Sequence, residues 1–368
     1  MRTLHACVSR VLEAMNPGKP KRGTPMRSRR RFRRASLGLT VGLVLAVLAQ
    51  LHAVWPPPAC ADDACRVQMA NDEAAGRLTV SVDGREAFVY RYGPKVDLVH
   101  YYPLRSPSGK NMLVQITDPY PHHRAFWFAD RVRAGDGPAV ATYSAVYSGK
   151  EVSRKVDPDE RLAAGAPYAT GIRHAKLDDW QCENDEAVMR KSMVWYYDND
   201  KPLADEQRTV RVVALGDGEY LLDITFKLTA AHGALTFTSD SVHYAWPYLR
   251  INDKFNGDHG GTITNDRGAQ GQKETNMKPA KWVDYSNTVD GETEGLAVFQ
   301  WPDGEEHRWL TREYGTFGPR RPDARSGKHF TVPAGESITQ RVGVLVHQGD
   351  VKSGRVAERY AKYVEGEL

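Results

Sequence analysis

Four cysteines in 368 residues are too few for a disulfide scaffold, and no Cys-x-x-Cys pair offers a thiolate zinc site or a redox motif. The chain has no His-Glu-x-x-His, His-x-His, Gly-x-Ser-x-Gly, phosphate-binding P-loop or Gly-x-Gly-x-x-Gly. The usual sequence grounds for a zinc hydrolase, a serine hydrolase, a nucleotide triphosphatase and a dinucleotide enzyme are therefore missing. One apolar run, Leu37 to Val54, approaches spanning length, so a polytopic membrane protein is excluded. No repeat of fixed period occurs. Positive charge is lacking where the whole-chain net of +4 suggests it. Residues 1–61 carry eleven Lys/Arg and one acid, Glu13, whereas residues 62–368 carry 39 Lys/Arg and 45 Asp/Glu, a net of −6. An acidic body is a poor partner for a phosphate backbone, which argues against nucleic acid.

The basic segment reads as an export leader. Arg27 to Arg34 supplies a positive n-region, Leu37 to Val54 an apolar core, and Ala59-Cys60-Ala61 a small-x-small cleavage site. Ser28-Arg29-Arg30-Arg31-Phe32 resembles a twin-arginine signal, although Arg33 and Arg34 stand where such a motif turns apolar; an ordinary Sec signal fits as well. The chain then divides into a leader, residues 1–61, and one domain, residues 62–368, in the periplasm or secreted. An uncleaved membrane anchor is the runner-up, weakened by Gln50, His52 and Pro56-Pro57-Pro58. Cleavage after Ala61 leaves Cys65 and Cys182, an even pair expected to form one disulfide in an oxidising compartment.

From Arg77 on, period-two alternation dominates. Leu78 to Val82 and Ala87 to Tyr92 flank Asp83-Gly84, a hairpin signature. Further strands are expected at Tyr143–Ser148, Met189–Tyr197, Glu206–Leu215, Tyr220–Leu228, Ala234–Thr238, Gly295–Gln300, His329–Val332 and Ser337–His347. Residues 151–187 read as a polar surface excursion poor in strand. Ser353 is placed to cap a short C-terminal helix with Val356, Tyr360 and Val364 at a spacing of four. The fold class is all-β, a large antiparallel sandwich or barrel with one short C-terminal helix.

Four segments concentrate chemistry. Asp118 to Asp130 holds Pro121-His122-His123-Arg124 and Phe126-Trp127-Phe128. If extended, His122 and Arg124 share one face and His123 takes the other. A histidine moves protons near neutral pH, an arginine grips oxygens, and an indole stacks on a sugar face. The second segment, Ser239 to His259, sets Tyr248, Arg250 and Asn252 two apart, with Asp240, His243 and Tyr244 before them. The third contains Trp282 and Asp284. The fourth contains Trp309, Arg312 and Tyr314 near Gly315, a mixture suited to a polyhydroxylated or carboxylated ligand. For each, a structural role in core, turn or surface packing is the alternative. Asp118, His122 and His123 do not compel a metal, because adjacent histidines on a strand point apart.

In this order the segments resemble a bacterial family labelled PmoA-like, or methane oxygenase PmoA. Its Pro-His-His-Arg-x-x-Trp-Phe-Ala segment reads here as Pro121, His122, His123, Arg124, Trp127, Phe128 and Ala129. Its Trp-Val-Asp-Tyr-Ser segment reads as Trp282 to Ser286, and its Trp-x-x-Arg-x-Tyr-Gly segment as Trp309, Arg312, Tyr314 and Gly315. The strand reaching His347-Gln348-Gly349-Asp350 and the helix after it are also similar, so the resemblance covers roughly residues 75–366. Tyr120 stands where the family has His, and Asp130-Arg131-Val132 where it has His-Gly-Asp. The label is not an activity, since the methane monooxygenase membrane subunit is polytopic. The resemblance implies an exported β-rich domain similar to galactose-mutarotase-like supersandwiches, which act on sugars at a concave face lined by His, Arg, Trp and acids.

The function expected is an exported carbohydrate-active enzyme of epimerase, lyase or hydrolase type, taking a sugar or oligosaccharide without cofactor or metal. His122, His123 and Arg124 are the catalytic candidates. Trp127, Arg250, Trp282, Asp284, Trp309, Arg312 and Tyr314 are the substrate-binding candidates. A non-catalytic glycan-binding module and a metal-dependent oxygenase are the alternatives; a pure binder has no need of two titratable rings beside an arginine. N-terminal sequencing of the exported protein should find its first residue near Asp62, with no membrane insertion afterwards; a retained leader contradicts this.

Overall fold

Asp83 and Gly84 both take positive φ, 51° and 74°, and make the two-residue turn that the sequence promises. The computed structural model describes residues 65–117, 120–143, 163, 166–238, 245–321 and 329–368. The leader, Asp118, Asp240, His243, Tyr244 and the strand expected after Tyr143 lie outside the described residues. The described residues belong to one compact unit.

The chain opens as a meander: β1 (Val67–Asp72), β2 (Arg77–Val82), β3 (Arg85–Arg91) and β4 (His100–Leu104). Three short strands follow, β5 (Phe126–Trp127), β6 (Arg131–Ala134) and β7 (Val140–Ala141). Then come the long strands β8 (Gly171–Glu183), β9 (Glu186–Tyr197), β10 (Lys201–Gly216) and β11 (Glu219–Thr229). β12 (Leu235–Phe237), β13 (Tyr248–Arg250) and β14 (Thr262–Asn265) lead to the short helix α1 (Gly271–Thr275). The remainder is β15 (Trp282–Val289), β16 (Glu292–Gln300), β17 (Trp309–Thr311), β18 (Thr316–Pro319), β19 (Phe330–Val332), β20 (Ser337–Gln348) and helix α2 (Val356–Glu365).

Two eight-stranded antiparallel sheets result, ordered β1-β2-β3-β4-β5-β13-β18-β17 and β14-β15-β16-β20-β11-β10-β9-β8, with a small sheet β19-β12-β6-β7. The all-β sandwich with a short C-terminal helix is the architecture observed. Leu78, Val80, Phe88 and Phe126 of the first sheet share one core with Met189, Val210, Leu222, Ile224 and Val344 of the second. Burying a side chain of this kind contributes about 1.5–3 kcal/mol. A second, smaller core lies beneath α2, where Val356 and Tyr363 meet Leu221, Trp282, Phe299 and Leu345.

The inter-sheet core also holds charge. Glu206 accepts from Arg208 Nε at 2.8 Å and from Trp195 Nε1 at 2.8 Å. Lys191 Nζ lies 3.4 Å from the Tyr90 ring centroid, and burial holds its amine well below the usual lysine range. The desolvation cost of such groups is offset only when partners are complete, so this cluster depends on Glu206 staying in place.

Three expectations are corrected. Residues 171–183 are not a strand-poor excursion but β8, an edge strand; its many exposed polar side chains conceal the alternation. Ser353 does not cap the C-terminal helix. Asp350 Oδ1 accepts from the Lys352 and Ser353 N–H groups and the Ser353 hydroxyl, and α2 starts after Arg355 in the left-handed region with no side-chain cap. Cys65 and Cys182 do not pair. Cys65 is a free thiol. The Arg66 N–H, bonded to Asn184 O at 2.8 Å, fixes the start of β1 at the β8–β9 turn, two residues past Cys182.

Candidate functional site

The segment before β5 is a turn, not the extended run that would separate its histidines. The His123 N–H donates to Tyr120 O at 3.1 Å, and Ala125 takes φ 68° before the chain enters β5. An L residue in the left-handed region persists only where its surroundings enforce it. Here the enforcing group is Arg124. It is fully buried, and its Nε and Nη2 each donate at 2.9 Å to the two carboxylate oxygens of Asp97, also fully buried. Its Nη1 donates to Pro121 O within the turn. Asp97 is fixed in its turn by the Leu98 N–H on Oδ1 at 3.0 Å and by the Ile172 N–H on its carbonyl at 3.1 Å. Gly171 allows that approach, because a Cβ there would stand 1.9 Å from Asp97 O.

The turn brings both imidazoles to one place, with ring centroids 4.6 Å apart. His123 Nε2 lies 2.9 Å from the Tyr248 hydroxyl. Tyr120, 43% exposed, stacks on His123 at 5.0 Å and faces Tyr314 at 6.2 Å. Arg250 sits over the Tyr314 ring at 5.0 Å. Trp127 is fully buried and supports Tyr248 from the neighbouring strand at 4.8 Å. Tyr143 completes the group, 6.1 Å from His122.

Both histidines are held neutral. Burial, with the Arg124 charge, lowers His122 to about 4; burial, with His122, Arg250 and Arg124, lowers His123 to about 2. Burial likewise lowers the Arg250 guanidinium from its usual value.

Trp282 and Asp284 fall elsewhere, and Trp309 and Arg312 are held by contacts of their own. Trp282 and Asp284 lie on β15 of the second sheet, on the face turned to α2 rather than to the core between the sheets. Asp284 is fully buried and bonds His347 Nε2 at 2.8 Å. Trp309 is fully buried and donates to Ala280 O at 2.8 Å. Arg312 bonds Thr311 O at 3.2 Å, with its backbone held by the Tyr285 hydroxyl. Arg124, expected to grip substrate, is fully taken up by Asp97 and Pro121 and acts by positioning the turn. Asn252, two beyond Arg250, does not line the strand; it caps the 3-10 turn Asp253–Phe255. Tyr120 and Tyr143 were missed, and Tyr248, named in its segment, was not counted among the site residues. For Tyr248 the signal was its spacing of two from Arg250.

Among the described residues no group of three His, Cys, Asp or Glu side chains is placed to hold a metal. No helix among them is long and apolar enough to cross a membrane.

Residues 77–361 match DUF6807, a family of unknown function. The chain belongs to this family. No curated protein matches the DUF6807 chain. Among solved structures it is similar to a heparan sulfate lyase HepC mutant from Pedobacter heparinus, with 12% identity over 75% of this chain and 36% of that one, TM-score 0.33. It is also similar to the GH36 α-galactosidase AgaB from Geobacillus stearothermophilus, with 9% identity over 77% and 41%, TM-score 0.37. The galactosidase domain of the α-galactosidase-sucrose kinase AgaSK gives 7% identity over 76% and 42%, TM-score 0.37. The chain spans 36–42% of the length of these structures.

Acid should destabilise this arrangement. Burial sets His100 at about 3, beside His122 at about 4 and His123 at about 2, all from an ordinary 6.5. The unfolded chain therefore binds more protons below pH 6.5 than the native one. Their stabilisation is complete above that value and is lost as pH falls from about 6.5 through about 4. His347 runs the other way: burial opposes its charge, but Asp284 prevails and raises it, so its contribution fades as pH rises through the native value. The urea midpoint should drop steeply between pH 6.5 and 4; a flat midpoint contradicts the assignment.

Proposed function

We propose that this DUF6807 protein is an exported carbohydrate-active enzyme that moves a proton at a sugar carbon, a lyase or an epimerase. The observation that carries the reading is the His123–Tyr248 contact of 2.9 Å with His122 beside it, two neutral imidazoles and a phenol under the exposed ring of Tyr120. A neutral imidazole accepts a proton, and a phenol donates one. Tyr120 and Tyr314 offer ring faces on which a pyranose packs.

Glycoside hydrolysis fits less well, because it ordinarily uses two carboxylates flanking the bond. Of the described acids, Asp97 is committed to Arg124, Glu313 accepts from the Gln272 N–H, and Asp253 is an exposed carboxylate 3.7 Å from Arg250. In epimerisation the base takes the carbon-bound proton and an acid returns one from the other face. In elimination the same proton leaves to the base, its electron pair becomes a double bond, the neighbouring C–O bond breaks, and the departing oxygen takes a proton. His122 and the His123–Tyr248 pair supply the base and the acid in either case.

His123→Ala should lower kcat/KM about 10²–10⁴-fold on an active sugar while the fold persists. The wild-type kcat/KM should stay level from pH 8 to about 5 and fall as His122, at about 4, takes up a proton. Undiminished turnover by His123→Ala contradicts the reading. Tight glycan binding by the wild type with no turnover across a broad oligosaccharide screen would make the protein a binding module instead.

A further inference from the structure

Arg250 is 5% exposed, on β13 between β5 and β18. The buried guanidinium groups of Arg124 and Arg208 each have a carboxylate in contact, Asp97 at 2.9 Å and Glu206 at 2.6 Å. Among the described residues Arg250 has none so close. Its Nη1 donates to Ile251 O at 3.2 Å, and its Nη2 is 3.7 Å from Asp253, whose side chain is 65% exposed. Its Nε is buried and has no hydrogen-bond partner among the described residues. Gly315, at φ 95°, makes room for it, since a Cβ there would stand 3.0 Å from Arg250 Nη1. A buried cation left so incompletely paired costs stability, and the fold has tolerated that cost beside the histidine turn.

We propose that the site selects an acidic sugar, with the carboxylate of a uronic acid held by Arg250 against the Tyr314 ring. This rests on the sugar reading above and names the substrate class. The guanidinium fork matches a carboxylate bidentately, satisfies the buried Nε and neutralises both charges; a hydroxyl of a neutral sugar does not. The chemistry agrees. A proton on a sugar carbon is abstracted with ease only beside a carboxylate or carbonyl, and neutralising that carboxylate makes it more acidic. The same contact prepares the base. Among the described residues the charges facing His123 are those of Arg250 and Arg124, beside the titratable rings of His122, Tyr120 and Tyr248. A carboxylate on Arg250 removes one of the two charges that keep a proton off His123.

The test compares uronate-containing oligosaccharides with the same oligosaccharides after reduction of their carboxyls to alcohols, by calorimetric titration of the full protein. The wild type should bind the acidic forms about tenfold to a hundredfold more tightly. Arg250→Gln should lose most of that preference. Because the matched ligands differ only at the carboxyl, the wild-type comparison stands even where the variant folds poorly. Equal affinity for the two forms, or a preference unchanged in a folded Arg250→Gln protein, overturns the proposal. If the reduced forms bind and are turned over equally, the sugar reading survives and only the carboxylate assignment fails. If neither form binds, both fail.

Discussion

The arrangement of the site hangs on one buried ion pair. Asp97 stands in the segment before β4 and Arg124 in the turn before β5, and both are fully buried and joined through two hydrogen bonds. Taking both groups from water is costly, and removing one partner from such a pair typically costs about 3–5 kcal/mol. The pair is therefore better understood as a device of position than of stability. It fixes a turn in which Ala125 takes positive φ, and the turn places two imidazoles against the same tyrosine cluster. Without that turn an extended Pro-His-His-Arg segment would direct the two rings to opposite faces.

Electrostatics give the site its character. Arg124 and Arg208 each meet a carboxylate, whereas Arg250 has a carbonyl and a distant, exposed carboxylate among the described residues. The histidines remain neutral because burial, with the charges of Arg124 and Arg250, disfavours an added proton. Uncharged bases next to an incompletely paired cation make a setting in which an anionic ligand is stabilised on arrival. The left-handed Ala125 and the incompletely paired Arg250 lie in the same neighbourhood as the two neutral histidines.

Much of the sandwich was legible in the sequence. Turn residues and alternation located β2, β9 and β10, whose burial alternates, and turn residues and apolar runs located β3, β11, β16 and β20, which are buried on both faces over much of their length. β8 escaped since an edge strand exposes polar side chains on both sides, and β5, β13, β17 and β18 are too short for periodicity to register. Within the site, clustering of residue types singled out His122, His123, Arg250 and Tyr314, which the fold does bring together. It misjudged Trp282 and Asp284, because composition does not reveal which face of a two-sided sheet a strand residue occupies. Arg124 was misjudged for a related reason: its partner, Asp97, lies 27 residues away in an unremarkable loop.

The dependence of the site on the Asp97–Arg124 pair is tested most directly by the histidine ring resonances of Asp97→Asn, followed by NMR against pH. Loss of the Asp97 charge alone would lower His122 further, because that carboxylate favours its protonated form. Opening of the turn would have the opposite effect, exposing both rings to water. The account predicts that His122 and His123, at about 4 and about 2 in the intact protein, rise toward the ordinary 6.5 in the variant. Histidine titrations that stay where they were, or move down, would show that the turn holds without its ion pair and would contradict the account.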